Sequence, residues 1–198
     1  MRLIKNRSRG LYLCFVLLFT FVIGGSVMAH ANSGSGTATA IVNAGNVLSE
    51  SPASTQESLA LTSSKKAQTA SYTLPITVTD ARGSGAGWKL TITSTTFSMT
   101  SGKNKNQLPT TASSIKGINQ ACSATPKSTC TLPTDSITYP LTIPAGTTPP
   151  TSVKFFNAGV NSGLGHFLLT MTVNVSIPAN TTKGTYTSTV YLTIASGP

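Results

Sequence analysis

The amino-acid sequence predicts an all-β fold, namely an antiparallel β-sandwich of the Greek-key or jelly-roll type. Its apolar segments are short and rich in Thr and Val, and apolar residues alternate with polar ones within them. This period of two is the spacing of side chains on the two faces of a β-strand. The segments end at Pro, Gly or Asn, which are typical turn residues. No segment has the periodicity of a convincing amphipathic helix, so we expect two packed sheets.

Four strands are predicted most clearly, at residues 72–78, 88–92, 169–177 and 186–194. Each places apolar side chains on one face and mainly threonines on the other, as in a sheet with one buried and one solvated face. The residues predicted to face the core are Leu74, Ile76, Val78, Trp88, Leu90, Ile92, Leu169, Met171, Val173, Val175, Ile177, Tyr186, Val190, Leu192 and Ile194. Pro75 predicts an edge strand or a bulge, because proline has no backbone N–H.

Turn-forming segments separate these strands. Residues 80–87 (DARGSGAG) lie between the first two, and residues 178–184 (PANTTKG) lie between the last two. The second segment predicts a hairpin loop. Residues 98–140 are polar and rich in loop-forming residues, and we expect them to extend from one end of the sandwich.

The glycines before Trp88 raise the question of a phosphate-binding loop. Such a loop leads into the N-terminus of a helix, whereas this one leads into a predicted strand. We therefore interpret Gly83, Gly85 and Gly87 as a chain reversal that uses positive φ angles. Trp88 is expected to pack inward; a Trp that stacks on a sugar would instead be exposed beside polar groups.

The first 31 residues predict a cleaved signal peptide. Four basic residues within the first nine are followed by an apolar run at residues 11–23 and by Ala29-His30-Ala31, a cleavage site of the A-x-A type. The apolar run is shorter than the roughly 20 residues that a membrane span needs. We expect residues 32–198 to be secreted as a single domain with no further attachment to the membrane.

The secreted chain would be basic. Four of the 14 Lys and Arg residues lie in the leader, which leaves ten against four Asp and Glu and a net charge of +6. Such a surface suits anionic envelope polymers, although scattered positive charges can equally serve solubility alone. No basic run with interleaved aromatic residues occurs, so nucleic acid is not an expected partner.

Cys122 and Cys130 are the two cysteines that follow the leader. In an exported chain, two cysteines this close together predict a disulfide. Metal binding is the alternative, but two thiols with no His, Asp or Glu between them make a poor site.

The residue content does not favour an enzyme. The acidic residues after the leader are Glu50, Glu57, Asp80 and Asp135, and the only histidine after the leader is His166. Glycoside hydrolysis generally needs two neighbouring carboxylates, and a Ser or Cys nucleophile needs a base. Four scattered acids also make a multidentate calcium site improbable. We predict no catalytic residues, no metal and no cofactor.

The segment Trp88-Lys89-Leu90, preceded by ITVTDARGSGAG, resembles the first signature of the WxL domain family. The second signature of that family is a Tyr-Thr strand that leads to another Trp-x-Leu and a final Pro. The segment YTSTVYLTIASGP is similar to it and carries Tyr186 and the final Pro198. Leu192 and Ile194 stand where the second Trp and its Leu are expected. With VKFFNAGVNSGLGHF and VNVSIPANTTKGTYTST, the resemblance extends over about residues 37–198.

The resemblance implies a bacterial surface domain that binds peptidoglycan non-covalently in the cell wall, with anionic wall polymers and other cell-surface proteins as further candidate partners. The candidate wall-binding residues are Trp88, Lys89, Leu90, Tyr186, Leu192 and Ile194. If Trp88 is buried, it is a determinant of the fold, and outer-face residues such as Arg82, Lys89 and Tyr191 take its place. The alternatives are a self-assembling, fimbria-like subunit that polymerises by strand addition and a general carbohydrate-binding sandwich.

Overall fold

The computed structural model describes residues 48–99, 106–123 and 130–198. The predicted signal peptide, residues 1–31, lies outside these residues and stays a prediction. The described residues form no helix and eleven strands: β1 (Leu48–Ser51), β2 (Ser54–Leu61), β3 (Gln68–Asp80), β4 (Trp88–Thr95), β5 (Ser98–Met99), β6 (Ser113–Cys122), β7 (Leu141–Thr142), β8 (Ala145–Gly146), β9 (Val153–Ala158), β10 (Gly165–Ile177) and β11 (Gly184–Ser196).

The strands form two sheets that pack face to face. Sheet 1 has the order β1-β3-β10-β6-β7, and sheet 2 has the order β2-β11-β4-β8. In sheet 2, β9 also pairs with β4, and β5 pairs with β11. All of these pairings are antiparallel except that of β4 with β8. The architecture confirms the prediction of an antiparallel β-sandwich.

The core lies between the sheets and follows the alternation in the sequence. Along β4 every second residue is buried, beginning with Trp88, and β10 shows the same pattern from Phe167 to Ile177. The largest fully buried side chains are those of Trp88, Tyr72, Tyr186, Phe155, Phe156, Phe167, Leu74, Ile76, Leu90, Ile92, Ile115 and Ile143. Apolar side chains lie on the inner faces because each Å² of apolar surface removed from water stabilises the fold by about 25 cal/mol.

The hairpin prediction for residues 178–184 is wrong. The strands that flank this segment, β10 and β11, belong to different sheets: β10 pairs with β3 and β6, and β11 pairs with β2 and β4. The segment therefore carries the chain from one sheet to the other. Residues 80–87 do the same between β3 and β4. Turn residues predict that a strand ends, but they do not determine which strand becomes its neighbour.

The expectation that residues 98–140 extend from one end of the sandwich is also wrong in part. Strand β6 lies within this range and pairs with β10 along most of its length. Ile115 on β6 is fully buried, and Leu108 just before it is 3% exposed. The segment SSIKGINQAC has few apolar residues, and its register shifts by one residue opposite Thr172 and Val173. Both features hide the alternation that would have predicted a strand.

Pro75 occupies an edge, as predicted. It lies opposite Thr170 of β10, whereas β1 covers the other side of β3 only from Thr77 to Asp80. Among the described residues, no strand pairs with that side of β3 at Pro75, so its missing N–H leaves no ladder hydrogen bond unmade. Within the same residues, no helix is long and apolar enough to span a membrane.

Candidate functional site

The two signature segments lie side by side in sheet 2. Strand β4 begins at Trp88, and β11 runs antiparallel to it with Leu90 opposite Ile194 and Ile92 opposite Leu192. The sequence predicted each segment separately, and the fold places them on neighbouring strands. Directly opposite residues in such a pair have Cβ atoms about 5 Å apart, so the two segments form one structural unit.

Trp88 is fully buried. Its indole Nε1–H donates a 2.8 Å hydrogen bond to the carbonyl oxygen of Gly163. Its ring packs against two phenylalanines, with centroid distances of 5.8 Å to Phe156 and 6.3 Å to Phe167. These tilted arrangements are favourable for aromatic pairs. Trp88 therefore has no face open to a ligand. Because it is buried, we interpret it as a determinant of the fold.

Two glycines make room for the indole and its loop. At Gly163, where φ is +66°, a Cβ would lie 2.4 Å from the Cβ of Ala158 and 2.7 Å from Nε1 of Trp88. At Gly87, where φ is +71°, a Cβ would lie 2.4 Å from the carbonyl oxygen of Ala158. Both positions need positive φ and close backbone approach, which only glycine provides without strain. The loop predicted to reverse the chain before Trp88 thus packs closely against the turn that follows β9.

Asp80 and Arg82 fix the same loop to the end of β11. The side chain of Asp80 is fully buried, and its carboxylate accepts hydrogen bonds from Nε and Nη2 of Arg82 at 2.9 and 2.8 Å. Arg82 also donates to the carbonyl oxygen of Gly87 at 2.9 Å and to Oγ of Ser196 at 2.5 Å. Burial alone would raise the pKa of Asp80, but the hydrogen bonds and charge of Arg82 outweigh it and lower that pKa. Arg82 is thereby committed to the fold, and its side chain is only 14% exposed.

The remaining predicted wall-binding residues divide between the core and the surface. Leu90 is fully buried, Leu192 is 4% exposed, and Ile194 is half-buried. Tyr186 is fully buried and donates its hydroxyl to the carbonyl oxygen of Thr182 at 2.9 Å. Lys89 points to the outer face of sheet 2 and is half-exposed.

The outer face of sheet 2 carries polar and aromatic side chains that are at least partly exposed, although the hydroxyl of Thr93 donates to the carbonyl oxygen of Pro150 at 2.8 Å. We call this surface the Tyr191 face; it consists of Lys89, Thr91, Thr93, Lys154, Tyr191 and Thr193. Tyr191 is 39% exposed and lies opposite Thr93, while Lys154 is exposed and lies opposite Thr91. Sequence reasoning named Lys89 and Tyr191 but missed Lys154. The bulge in β9, where the register shifts between Leu90 and Thr91, conceals the face on which Lys154 lies.

Cys122 and Cys130 form the predicted disulfide, with their Cα atoms 5.9 Å apart. Cys122 is the last residue of β6, and it lies opposite Phe167 of β10. The bond therefore ties the end of β6 to the segment that leads back toward the sandwich, where Thr131 donates its N–H to the carbonyl oxygen of Leu164 at 2.9 Å.

The ionisable groups of the described chain are dispersed. These residues contain no cluster of three His, Cys, Asp or Glu that could hold a metal ion. Nδ1 of His166 lies 2.9 Å from the hydroxyl of Thr79 on the outer face of sheet 1.

Glu57 is the unusual member of this set, because it points into the sandwich from β2 and is 2% exposed. Burial raises its pKa to about 7, with the 3.3 Å hydrogen bond from Thr55 acting in the opposite direction. Its charge also contributes, after burial itself, to the raised pKa of Tyr72.

Comparison with protein families gives a match over residues 36–198 to the model of the WxL domain, described as a surface cell wall-binding domain. Comparison with curated proteins and with solved structures gives no match. The matched region includes every described residue and contains both signature segments, β4 and β11. The chain therefore belongs to the WxL domain family of surface cell wall-binding domains.

Proposed function

We propose that this WxL domain is secreted after removal of residues 1–31 and attaches residues 32–198 non-covalently to peptidoglycan. Membership of the family supports cell-wall binding at the cell surface. The basic composition supports an anionic or carboxylate-bearing partner, since the chain after the proposed leader carries ten Lys and Arg against four Asp and Glu. No catalytic step is proposed.

The observation that carries the choice of surface is the exposure of Tyr191 in the middle of sheet 2. An aromatic ring with one apolar face and a polar hydroxyl suits a sugar ring, which has both characters. Lys154 and Lys89 lie on the same face, two and four residues along the strands from the Tyr191–Thr93 pair. Because Lys154 is two strands away from Tyr191 and Lys89 is one strand away, strand spacings place them roughly 12 and 14 Å from Tyr191. Ammonium groups at these distances can pair with the carboxylates of the peptide stems while Tyr191 contacts the glycan.

We assign a different role to the first signature residue. Trp88 is fully buried and hydrogen-bonded to Gly163, so its contribution to binding is indirect: it holds β4 in place, and β4 supplies Lys89 and Thr93 to the Tyr191 face. The same holds for Leu192, whose buried side chain alternates with the exposed residues Tyr191 and Thr193.

Co-sedimentation tests this proposal. The exported chain is mixed with purified peptidoglycan, with and without attached anionic polymers, across a salt series. We expect binding to bare peptidoglycan that persists in salt, because stacking on sugars is not screened as exposed charges are. Tyr191→Ala should weaken binding several-fold. Leu168→Ala is the matched control, since Leu168 is similarly exposed, at 41%, but lies on β10 in sheet 1.

Three outcomes would contradict the proposal. If the chain sediments with neither form of the wall, peptidoglycan attachment is wrong. If it sediments only with polymer-bearing wall and only at low salt, the interaction is charge attraction to the polymers. If Tyr191→Ala and Leu168→Ala behave alike while the wild-type chain binds, the binding surface is not the Tyr191 face.

A further inference from the structure

Strand β2 has one edge that no described strand covers. It is an eight-residue strand that pairs with β11 from Leu61 opposite Gly184 to Ser54 opposite Tyr191. Among the described residues, this is its only pairing. An uncovered strand edge presents a row of backbone N–H and C=O groups that can pair with another strand.

The other long edges carry features that oppose such pairing. The uncovered part of β3 contains Pro75. The edge of β9 is occupied by the loop before it, because the Asp135 carboxylate accepts the backbone N–H of Asn157 at 3.1 Å and the Tyr139 hydroxyl lies 2.6 Å from the carbonyl oxygen of Phe155. The edge of β6 is interrupted by a bulge at the exposed Lys116. Proline, capping side chains, charged residues and bulges are recognised means of blocking sheet edges.

The outer face of β2 has none of these features. Its residues Ser54, Gln56, Ser58 and Ala60 are small or neutral, and the strand contains no Lys, Arg or Pro. This is notable because the chain after the proposed leader carries ten Lys and Arg against four Asp and Glu, yet positive charges that would repel a second copy are absent from this strand. The only charge on β2 is Glu57, which points inward.

We propose that two copies of this chain pair through β2, antiparallel, about a two-fold axis perpendicular to sheet 2. Directly opposite residues in a ladder point to the same face of the sheet. The axis must therefore pass midway between the two copies of one residue, which then lie opposite each other. Centring on Glu57 would place two carboxyl groups opposite each other, which is destabilising. Centring on Ser58 instead places Glu57 opposite the partner's Leu59 and Gln56 opposite the partner's Ala60. Of the two registers centred on the middle of this eight-residue strand, the one with Ser58 opposite the partner's Ser58 is therefore favoured.

The pairing has a consequence for the proposed function and in that respect rests on it. A two-fold axis perpendicular to the sheet keeps the outer faces of both copies on the same side. Two Tyr191 faces would then contact one wall surface. Once one copy is bound, the other is held near the wall at a high effective concentration, so the dimer binds more tightly than a single copy. The pairing itself does not depend on wall binding. A single-strand contact buries little area, so we expect a weak, concentration-dependent dimer.

Sedimentation velocity over a concentration series tests the pairing with the exported chain. We expect the wild-type chain to shift from monomer to dimer as its concentration rises. Ser58→Lys should abolish the dimer, because it places two ammonium groups opposite each other on the axis. Thr185→Lys is the control: it adds the same charge on the same outer face, but on the neighbouring strand opposite Ala60, and it should leave the dimer intact.

Cross-linking tests the register. Under mild oxidation, Ser58→Cys should give a covalent dimer, because residues directly opposite have Cβ atoms about 4.5–5.5 Å apart, close to disulfide geometry. Thr185→Cys should not, because strand spacings place the two copies of that residue about 20 Å apart.

A wild-type chain that stays monomeric at every concentration overturns the proposal, as does a Ser58→Lys variant that still dimerises. Neither readout involves peptidoglycan, so failure of the pairing and failure of wall attachment are separately visible.

Discussion

Leu90 and Ile194 lie directly opposite each other on β4 and β11, one from each of the two signature segments of this WxL domain. Leu90 is fully buried and Ile194 is half-buried, so the segments meet through side chains directed toward the core. The two segments thus form a strand pair whose exposed side chains lie on the opposite, outer face, where we propose that the wall binds.

Trp88→Phe should destabilise the fold. The substitution removes the donor to the buried carbonyl oxygen of Gly163 and leaves a gap beside Phe156 and Phe167. We expect the free energy of unfolding to fall by about 2–3 kcal/mol, measured by urea denaturation. Tyr191→Phe is the control, with an expected change within about 0.5 kcal/mol because the residue is on the surface. Unchanged stability together with lost peptidoglycan binding would show that the indole contacts the wall directly.

Gly163→Ala should cost more than the same change at Gly83. The two positions have nearly equal φ angles, +66° and +67°, but a Cβ at Gly163 would collide with Ala158 and Trp88, whereas a Cβ at Gly83 meets nothing within 4 Å. Gly83→Ala should cost about 1 kcal/mol from backbone strain alone. Gly163→Ala should cost at least about 2 kcal/mol more through overpacking. Equal unfolding midpoints for the two variants would contradict the tight closure around the indole.

Glu57 should make stability fall as the pH rises from 4.5 to about 7. In this window the folded chain, whose Glu57 has a pKa of about 7 because of burial, keeps a proton that the unfolded chain has lost at its usual pKa of 4.5. Glu57→Gln removes this dependence. We expect the variant to gain about 2 kcal/mol over the wild-type chain at pH 8, after allowance for solvent screening, and to differ little at pH 4.

Chemical denaturation at a series of pH values measures this effect. The matched control is Gln56→Glu, which places a carboxyl group on the exposed outer face of the same strand and should produce no such slope. Parallel pH profiles for the wild-type chain and Glu57→Gln would contradict the burial of an ionisable carboxyl group.

Replacing both Cys122 and Cys130 with Ser should lower the free energy of unfolding by about 2–3 kcal/mol, because the bond closes a loop with a sequence separation of 8 and restricts the unfolded chain. Thermal unfolding of the wild-type chain with and without a reductant checks the same quantity without mutation. The double variant should be insensitive to the reductant. A reductant-independent midpoint in the wild-type chain would show that the bond contributes nothing to stability.

The sequence predicted those parts of the fold that depend on local patterns. Alternation along β4 and β10 correctly placed Trp88 and Met171 in the core. It did not predict that β10 and β11 lie in different sheets, because strand pairing depends on contacts between residues distant in the chain. It missed β6, where polar residues and a bulge hide the period of two.

The candidate surface was predictable only in part, for the same reason. Tyr191 and Lys89 followed from alternation within their own strands. Lys154 required knowledge of the register between β9 and β4, which shifts by one residue. The adjacency of the two signature segments likewise became visible only once β11 was seen to lie against β4.

The position of β11 between β2 and β4 also bears on how the chain folds as it is made. Val190 pairs with both Thr55 and Ser94, so β2 has no described neighbour in its sheet until the ribosome has synthesised β11. Sheet 1 can begin to assemble earlier, when β10 meets β3. Contacts between residues so far apart in the chain slow folding. A nascent chain therefore cannot complete its second sheet until β11 has been made.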